Sequence, residues 1–242
     1  MARVLVVGAK EGSLGSAIVD CLADREFLVA TAGISGEPTI LDVTDPYPVL
    51  MRTLREVGAD HIVVTAGINM PPNADMFAGA RDPLHWYGDH FVTNCTGPMR
   101  LLEAWLEVRA GAKPLAPPGH FVAISSNSAH IARTGSAAYC ASKAALSMAI
   151  RCKAREIGRK GLSVIAYGYE PGLLAGTPMT RDVEDRADKE WAPKERLALH
   201  RMPGIDQEGI SPDTLAGLIA YNIANGGREL NSTMHRIDSG EQ

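Results

Sequence analysis

Short apolar runs alternate with longer helical stretches along almost the whole sequence. The first run, Arg3–Val7, is rich in β-branched residues and leads through a Gly-rich turn into a helical stretch that begins at Ser16. Strands that alternate with helices form a parallel sheet with helices packed on both of its faces. The alternation therefore predicts an α/β protein built on a doubly wound parallel sheet.

The predicted elements continue in this alternation to the end of the chain. Strands are expected at Arg3–Val7, Phe27–Thr31, Thr39–Leu41, His61–Thr65, Gly119–Ser125, Ser163–Tyr167 and Met234–Ile237. Helices are expected at Ser16–Ala23, Pro46–Val57, Asp89–Arg109, Ala137–Gly158 and Pro212–Ala224. Only the polar turn Ser35–Pro38 joins the second and third strands, where a helix would be expected.

One long polar segment, Met179–His200, has no strand partner in this pattern. Long irregular connections are often functional, so we expect residues 179–200 to form a substrate lid. Because the sheet pattern resumes directly after the loop Ala110–Gly119, that loop is not read as a domain linker. The whole chain, residues 1–242, is therefore expected to form a single domain.

Composition and charge argue against several classes of partner. Hydrophobic residues make up 45% of the chain, which is enough for a core, and the net charge of −4 is scattered without a basic stripe. Nucleic acid is therefore not an expected partner, and the apolar runs are too short to span a membrane. The four cysteines form no C-x-x-C pair and the histidines are dispersed. We expect reduced thiols, no metal site and a cytoplasmic location.

The segment V-L-V-V-G-A-K-E-G-S-L-G-S-A-I combines a strand, a Gly-rich turn and a helix start. Gly8 permits the tight turn, while Gly12 and Gly15 allow close approach of a pyrophosphate and of the helix to the sheet. The free N–H groups of the helix N-terminus then face the phosphates. The pattern indicates a Rossmann-type dinucleotide site, although Gly-rich turns without a ligand are also common.

The end of the second strand should distinguish NAD from NADP. An acidic residue there binds the ribose diol of NAD, whereas an arginine suits the phosphate of NADP. The sequence has Gly33 followed by Ile34 and Ser35, with neither charge present. Lys10 in the turn is able to approach a phosphate, although Glu11 beside it opposes one. The cofactor is expected to be NAD or NADP, with a slight preference for NADP.

The string A-A-Y-C-A-S-K-A-A-L carries the strongest indication of chemistry. Tyr139 and Lys143 are four residues apart in a helical stretch, so they share one face. An ammonium beside a phenol favours the phenolate and lowers the phenol pKa, which produces a general acid/base. A surface Tyr/Lys pair on an ordinary helix is the alternative. That alternative would leave the Gly-rich turn and the hydroxyl-rich strand end A-I-S-S-N-S unexplained.

Together these motifs resemble the short-chain dehydrogenase/reductase family, in its compact single-domain branch, over almost the whole chain. The family's Y-x-x-x-K motif matches Tyr139 and Lys143, and its serine, thirteen residues before the tyrosine, matches Ser126. The asparagine of an N-x-x-G context on the long helix matches Asn94. The resemblance implies that these four residues are catalytic.

The remaining matches concern the cofactor. D-V-T-D resembles the family's adenine contact, T-A-G the end of a further strand, and P-G-L-L-A-G-T-P the segment beside the nicotinamide. With the Gly-rich turn, the expected cofactor contacts besides Tyr139 and Lys143 are Gly8, Lys10, Gly12, Leu14, Gly15, Gly33, Ser35, Asp42, Val43, Ala66, Gly67, Pro171, Gly172 and Thr177.

Three features depart from the family pattern. The Gly-rich turn and the spacing from Pro171-Gly172 to Thr177 are each one residue longer than in the family. Glu170 stands where small or hydroxyl residues are usual, either touching the substrate pocket or facing a basic group.

The resemblance implies hydride transfer between NAD(P)(H) and a small-molecule carbonyl or secondary alcohol. Tyr139 would exchange the proton, Lys143 would lower the Tyr139 pKa and hold the nicotinamide ribose, and Ser126 would bind the reacting oxygen. Asn94 would hold a water that relays protons. Candidate pocket residues are Met70, Trp86, Asn127, His130, Trp191 and the segment Met179–His200, although ordinary packing or a surface position is the favoured explanation for each.

The same motifs are compatible with two other functions. A catalytically silent dinucleotide-binding protein of this fold is the main alternative. The second alternative is sugar-nucleotide epimerase or dehydratase chemistry on the same fold. It is less favoured, because such enzymes usually have a larger C-terminal substrate domain. A homodimer or homotetramer is expected, assembled through the two long helices by apolar faces around Met99, Leu102, Leu146 and Ile150.

Overall fold

A seven-stranded parallel sheet forms the centre of the computed structural model, which describes residues 1–33, 39–69, 83–110, 118–133, 136–182 and 209–237. The strands lie in the order β3-β2-β1-β4-β5-β6-β7. Their bounds are β1 Arg3–Val7, β2 Leu28–Gly33, β3 Thr39–Ile40, β4 His61–Val64, β5 Gly119–Ile124, β6 Val164–Pro171 and β7 Met234–Ile237. The doubly wound, Rossmann-type α/β fold expected from the alternation is confirmed.

Helices cover both faces of the sheet. Their bounds are α1 Leu14–Ala23, α2 Tyr47–Val57, α3 Pro83–Phe91, α4 Gly97–Ala110, α5 Ala137–Arg159 and α6 Pro212–Asn225. Helices α1 and α6 pack together on one face, and α2, α4 and α5 cover the other.

Alternation along the central strands creates two separate apolar cores. In β1, Val4 and Val6 belong to the core under α1 and α6, whereas Leu5 and Val7 belong to the core under α2, α4 and α5. Successive side chains of a strand point to opposite faces, so a strand covered on both sides reads as a continuous apolar run. This explains why the strand signal in the sequence is strong.

The long helix expected at Asp89–Arg109 is instead interrupted. Helix α3 ends at Phe91, a π-helical turn occupies Val92–Thr96, and α4 starts at Gly97. The N–H of Gly97 donates to the carbonyl of Val92, five residues earlier. Pro98 follows and has no N–H to donate, so a regular α-helical ladder cannot continue through this point.

The apolar residues expected to form an assembly surface lie largely inside the subunit. Leu102, Leu146 and Ile150 are fully buried in the core beneath α4 and α5, and Met99 packs against that core. They face their own sheet, because the helix stripe that covers a sheet must be its apolar one. This part of the assembly hypothesis is wrong.

Several expectations concern residues outside the described ranges. The turn Ser35–Pro38 and all of the 179–200 segment beyond residue 182 belong to this group. In the portion of the chain that the structure describes, no helix is long and apolar enough to cross a membrane. Within those same ranges, no cluster of three or more His, Cys, Asp or Glu side chains is arranged to hold a metal ion. All four cysteines are free thiols.

Candidate active site

A cavity of about 510 Å³ opens at the carboxyl ends of β1, β2, β4, β5 and β6. Strand β1 lies between β2 and β4, so chain connections leave it in opposite directions at this edge. Such a switch point is where open α/β sheets bind ligands. The expected site residues that line the cavity are Gly8, Lys10, Leu14, Gly15, Gly33, Asp42, Val43, Ala66, Gly67, Ser126, Tyr139, Lys143, Pro171, Gly172 and Thr177.

The Gly-rich turn forms one end of the cavity. Gly8 has a φ of 96°, and a Cβ there would lie 2.7 Å from the backbone nitrogen of Ala66. A Cβ at Gly15 would overlap the carbonyl oxygen of Gly8. Ser13 caps α1 by accepting a hydrogen bond from the N–H of Ser16, so the helix starts at Leu14, two residues earlier than expected. The turn therefore brings backbone close to backbone and points the helix N-terminus at the cavity.

Gly12, another expected contact, does not line the cavity. Its φ of 73° requires glycine for backbone reasons, because L side chains rarely adopt such angles. In the lengthened turn, Gly12 therefore allows the backbone conformation and does not form part of the cavity wall.

The side of the cavity formed by β2 carries no charged recognition residue within the described ranges. Gly33 ends β2 and lines the cavity, whereas Ser35 lies outside the described residues. Asp42 also lines the cavity, and its Oδ1 accepts a hydrogen bond of 2.8 Å from the N–H of Thr44. One oxygen of that carboxylate therefore stabilises its own turn.

Three of the four expected catalytic residues meet at the other end of the cavity. Ser126 follows β5, Tyr139 lies in the first turn of α5, and Lys143 lies one turn later. The Nζ of Lys143 lies 5.8 Å from the centroid of the Tyr139 ring and donates a 2.9 Å hydrogen bond to the carbonyl of Ile124. A strand end and a single helix face thus bring a hydroxyl, a phenol and an amine together.

The electrostatics of this group differ from the expected scheme. Burial raises the pKa of Tyr139, while a hydrogen bond with Ser126 and the charge of Arg133 act to lower it. Burial lowers the pKa of Lys143 to about 8. The charge of Arg133 lowers the Tyr139 pKa in this structure, while the Lys143 amine donates to the Ile124 carbonyl; the expected effect of Lys143 on the Tyr139 pKa stays a prediction.

The fourth residue, Asn94, lies behind the cavity wall on the π-helical turn and is fully buried. Its Oδ1 accepts a hydrogen bond from the N–H of Ile68, and its Nδ2 donates to the Ile68 carbonyl and to Ser142 Oγ. A Cβ on Gly67 would lie within 3.2 Å of Asn94 Oδ1 and 3.3 Å of Lys143 Nζ, so these two side chains are close. Asn94 thus ties the chain after β4 to α5 beside Lys143.

Arg133 is the main site residue that the sequence did not reveal. It lines the cavity, donating from Nε to Ser128 Oγ and from Nη2 to Asn127 Oδ1, both at 2.8 Å. An isolated arginine in a loop carries no motif, so no local signal identified it. Further lining residues that lay beside the expected ones are Ser13, Thr65, Ile68, Asn69, Thr93, Ser136, Leu173, Leu174, Met179 and Thr180.

Of the candidate pocket residues, Asn127 lines the cavity, whereas Trp86 and His130 do not. Met70 and Trp191 lie outside the described residues. Glu170 does not line the cavity either, and it is hydrogen-bonded to His130. The second of its two possible positions, beside a basic group, is therefore the one found.

Solved structures with the same fold include a variant of actinorhodin polyketide ketoreductase with NADPH. It is 21% identical to this chain, with a TM-score of 0.81 and coverage of 99% of this chain and 96% of that one. An oxidoreductase of the short chain dehydrogenase/reductase family from Burkholderia thailandensis is 22% identical, with a TM-score of 0.76 and coverages of 99% and 92%. A 3-oxoacyl-[acyl-carrier protein] reductase from Brucella melitensis ATCC 23457 is 20% identical, with a TM-score of 0.75 and coverages of 98% and 89%.

No curated protein matches the sequence significantly. The family model for short chain dehydrogenases matches residues 50–188, which include Asn94, Ser126, Tyr139 and Lys143 and span more than half of the chain. The chain therefore belongs to the short-chain dehydrogenase/reductase family and is an oxidoreductase of that family.

Proposed function

We propose that this oxidoreductase transfers a hydride between NAD(P)(H) and a carbonyl or secondary alcohol, with Tyr139 as the acid/base. One observation carries the proposal: a single cavity joins the Gly8–Gly15 turn at one end to Ser126, Tyr139 and Lys143 at the other. The catalytically silent alternative would not require these three polar side chains at the cavity.

The residues of the cavity fit a dinucleotide. The glycines at 8 and 15 leave no room for a Cβ, and the N-terminus of α1 offers free N–H groups to phosphates. Asp42 and Val43, which the family resemblance implies as the adenine contact, and Pro171, Gly172 and Thr177, which it implies beside the nicotinamide, line the same cavity. When bound, the nicotinamide supplies or accepts the hydride.

The chain's own residues manage the substrate oxygen and its proton. In carbonyl reduction, the Tyr139 hydroxyl donates a proton to the oxygen that gains negative charge. Ser126 donates a hydrogen bond to that oxygen and stabilises the charge. Lys143, whose pKa is lowered to about 8, lies beside Tyr139 and is placed to hold the nicotinamide ribose. Asn94 donates to the side-chain hydroxyl of Ser142, the residue before Lys143, and a proton-relaying water beside it is part of the proposal.

We favour NADP over NAD, with weak discrimination. No carboxylate stands at Gly33 to bind the ribose diol, and Lys10 lies exposed at the cavity edge. The ketoreductase of the same fold is described with NADPH. The names ketoreductase and 3-oxoacyl-[acyl-carrier protein] reductase among the structural neighbours support a carbonyl as the reacting group.

The substrate lid and the single-domain organisation of residues 1–242 are retained as proposals. Leu174 and Ile210 form a parallel bridge, so the residues on either side of the expected lid lie next to each other. Met179 and Thr180, at its start, line the cavity. A homodimer or homotetramer and a cytoplasmic location also remain predictions.

Replacing Tyr139 by Phe tests the function directly. The ring keeps its packing while the acid/base is lost, so turnover should fall by ~100-fold or more, since positioned proton transfer contributes about that much. The measurement is oxidation of NADPH and NADH against a panel of ketones and aldehydes, with alcohols for the reverse reaction. Near-normal turnover of this variant would remove Tyr139 from the mechanism. Cofactor binding without turnover of any panel member by the wild type would favour the silent alternative.

A further inference from the structure

Glu170 lies on the face of the sheet that supports the Tyr139 helix. Val164 and Ala166 of β6 belong to the core beneath α5, while Tyr167 and Tyr169 belong to the opposite core. Because side chains alternate along a strand, Glu170 continues the α5-facing column. Its side chain is 2% exposed, so a carboxylate is buried at the end of β6 directly before Pro171 and Gly172.

Both oxygens of the Glu170 carboxylate have partners. Oε2 lies 2.8 Å from Nε2 of His130, whose side chain is 41% exposed. Oε1 accepts a 2.6 Å hydrogen bond from the hydroxyl of Ser147 on α5. Ser147 Oγ also lies 2.8 Å from Ser125 Oγ, and the Ser125 hydroxyl is 3.0 Å from the carbonyl of Lys143. Side-chain contacts thus run from Glu170 to the helix that carries Lys143.

These contacts involve residues on both sides of Ser126 in the sequence, Ser125 before it and His130 after it. Ser125 precedes Ser126 and is connected to the carboxylate through Ser147, while His130 ends the short 3₁₀ turn that Ser126 caps. Ile124, the next residue back along the chain, provides the carbonyl that accepts from Lys143 Nζ. A buried polar network whose members are all hydrogen-bonded makes the surrounding core more rigid.

We propose that Glu170 is a positioning residue whose carboxylate holds Ser125 and His130 on either side of Ser126 and thereby sets where the Ser126 hydroxyl meets Tyr139. The inference rests on the proposed function, because it assigns Glu170 to the same reaction. It requires a side chain that ends in two polar atoms with separate partners, which a small or hydroxyl residue at this position cannot provide.

Three variants separate the geometry from the charge. Glu170→Ala removes both links, and kcat should fall by about 10- to 100-fold, because a displacement of about 1 Å is enough to cost about 100-fold. The cofactor Kd should stay near the wild-type value, because the Gly8–Gly15 end is untouched. Glu170→Gln keeps one acceptor and one donor for Ser147 and His130, so it should retain most of the activity. Ser147→Ala combined with His130→Ala removes the partners instead and should reproduce Glu170→Ala even if that variant folds poorly.

Asn231→Ala is the matched control. Its side chain also connects β6 to α5, accepting from the N–H of Ala166 and donating to the carbonyl of Ala154, but it does not line the cavity. It should lower thermal stability and leave kcat unchanged. An equal loss of kcat in Asn231→Ala would overturn the proposal, because general loosening of β6 against α5 would then account for the effect.

A double-mutant cycle with Ser126→Ala gives the decisive comparison. If Glu170 acts through Ser126, Glu170→Ala should have little further effect on kcat once the Ser126 hydroxyl is gone. Independent, multiplicative losses would overturn the proposal.

A second readout does not depend on turnover. The hydrogen bond with Ser126 lowers the Tyr139 pKa, so loosening the loop should raise it in Glu170→Ala as it does in Ser126→Ala. The phenolate absorbance of each protein, minus that of its Tyr139→Phe counterpart, reports this ionisation. Absence of turnover in the wild type would contradict the proposed function, whereas an unmoved Tyr139 titration in Glu170→Ala would contradict the positioning role alone.

Discussion

At the scale of single residues, spacing determined which side chains meet, while surroundings determined their charge. Tyr139 and Lys143 share a helix face as their spacing requires. The pKa of each is set mainly by burial, which raises that of the phenol and lowers that of the amine. The cation acting on the phenol is Arg133, six residues before it in the chain. A sequence motif therefore located the proposed acid/base, and the Arg133 and Ser126 contacts of the folded loop shift its pKa.

Cofactor choice is expected to depend on Gly33, the last residue of β2. The wild type should favour NADP by at most ~10-fold, since one exposed lysine contributes only about 0.2–1 kcal/mol. Gly33→Asp should reverse this preference, because a carboxylate there binds the free ribose diol and repels a 2′-phosphate. Gly33→Asn, similar in size but uncharged, is the control. The dissociation constants of both nucleotides measure the effect. A wild-type preference for NAD of ~100-fold or more would show that the recognition residue lies elsewhere.

At the scale of elements, two irregular features shape the site. The π-helical turn Val92–Thr96 carries Asn94 toward Ile68 and Ser142, in a place where the apolar periodicity of the sequence indicated one straight helix. Helix α1 starts where Ser13 caps it, so its N-terminus faces the cavity. Both features depend on a few hydrogen bonds, several of them from side chains, that periodicity alone does not reveal.

Replacing a glycine by alanine should have opposite effects on stability at two helical positions, Gly15 in α1 and Gly217 in α6. Gly15→Ala places a methyl group against the Gly8 carbonyl and should destabilise the protein by about 1–3 kcal/mol, as overpacking does. It should also weaken nucleotide binding. Gly217→Ala in α6 meets nothing within 4 Å and should stabilise the fold by up to about 1 kcal/mol. Urea unfolding and nucleotide titration measure both effects, and a neutral Gly15→Ala variant would show that the turn is not closely packed.

At the scale of the whole molecule, buried histidines couple stability to pH. His61 is the first residue of β4 and His120 is the second residue of β5, and both are nearly inaccessible. The Nδ1 of His61 accepts a 3.1 Å hydrogen bond from the backbone N–H of His120, which requires that nitrogen to be unprotonated. Burial lowers the pKa of each ring from 6.5 to about 4. Between about pH 4 and 6.5, these two histidines are therefore protonated in the unfolded chain but largely neutral in the folded protein.

Stability should consequently fall as the pH drops from 6.5 towards 4, and this effect should be absent above that range. The loss is at most about 3 kcal/mol for each histidine, because one pKa unit corresponds to about 1.4 kcal/mol. Urea unfolding across this pH range measures it. His61→Asn keeps an acceptor for the His120 N–H without titrating, and it should be less sensitive to acid. Equal acid sensitivity of that variant and the wild type would assign the effect to other groups.

The subunit interface of an oligomer is now expected at different residues, because those first proposed for it are buried inside the subunit. Exposed apolar side chains lie on α3, the π-helical turn and α5, at Leu84, Tyr87, Val92 and Met148. A homodimer or homotetramer should bury this group, and Met148→Glu should weaken it. Tyr221→Glu on α6, on the opposite side of the sheet, is the control. Sedimentation at micromolar concentration measures the mass, and a stable wild-type particle of 25.8 kDa would contradict the prediction.

The sequence by itself determined the features that depend on local periodicity and local backbone conformation. The alternation of apolar runs and helical stretches predicted the parallel sheet, and all seven strands were placed within a few residues of their observed bounds. The Gly-rich turn predicted one end of the cavity, because positive φ angles and close backbone approach require glycine. The four-residue spacing of Tyr139 and Lys143 placed both at the other end.

Only the tertiary structure decided which distant residues surround these motifs. It buried Leu102, Leu146 and Ile150, interrupted the long helix before Pro98 and brought Arg133 to the cavity. It also placed the Glu170 carboxylate between His130 and Ser147, 40 and 23 residues away in the chain. Contacts over such separations depend on how strands and helices pack, and periodicity specifies the face of an element but not the partner opposite that face.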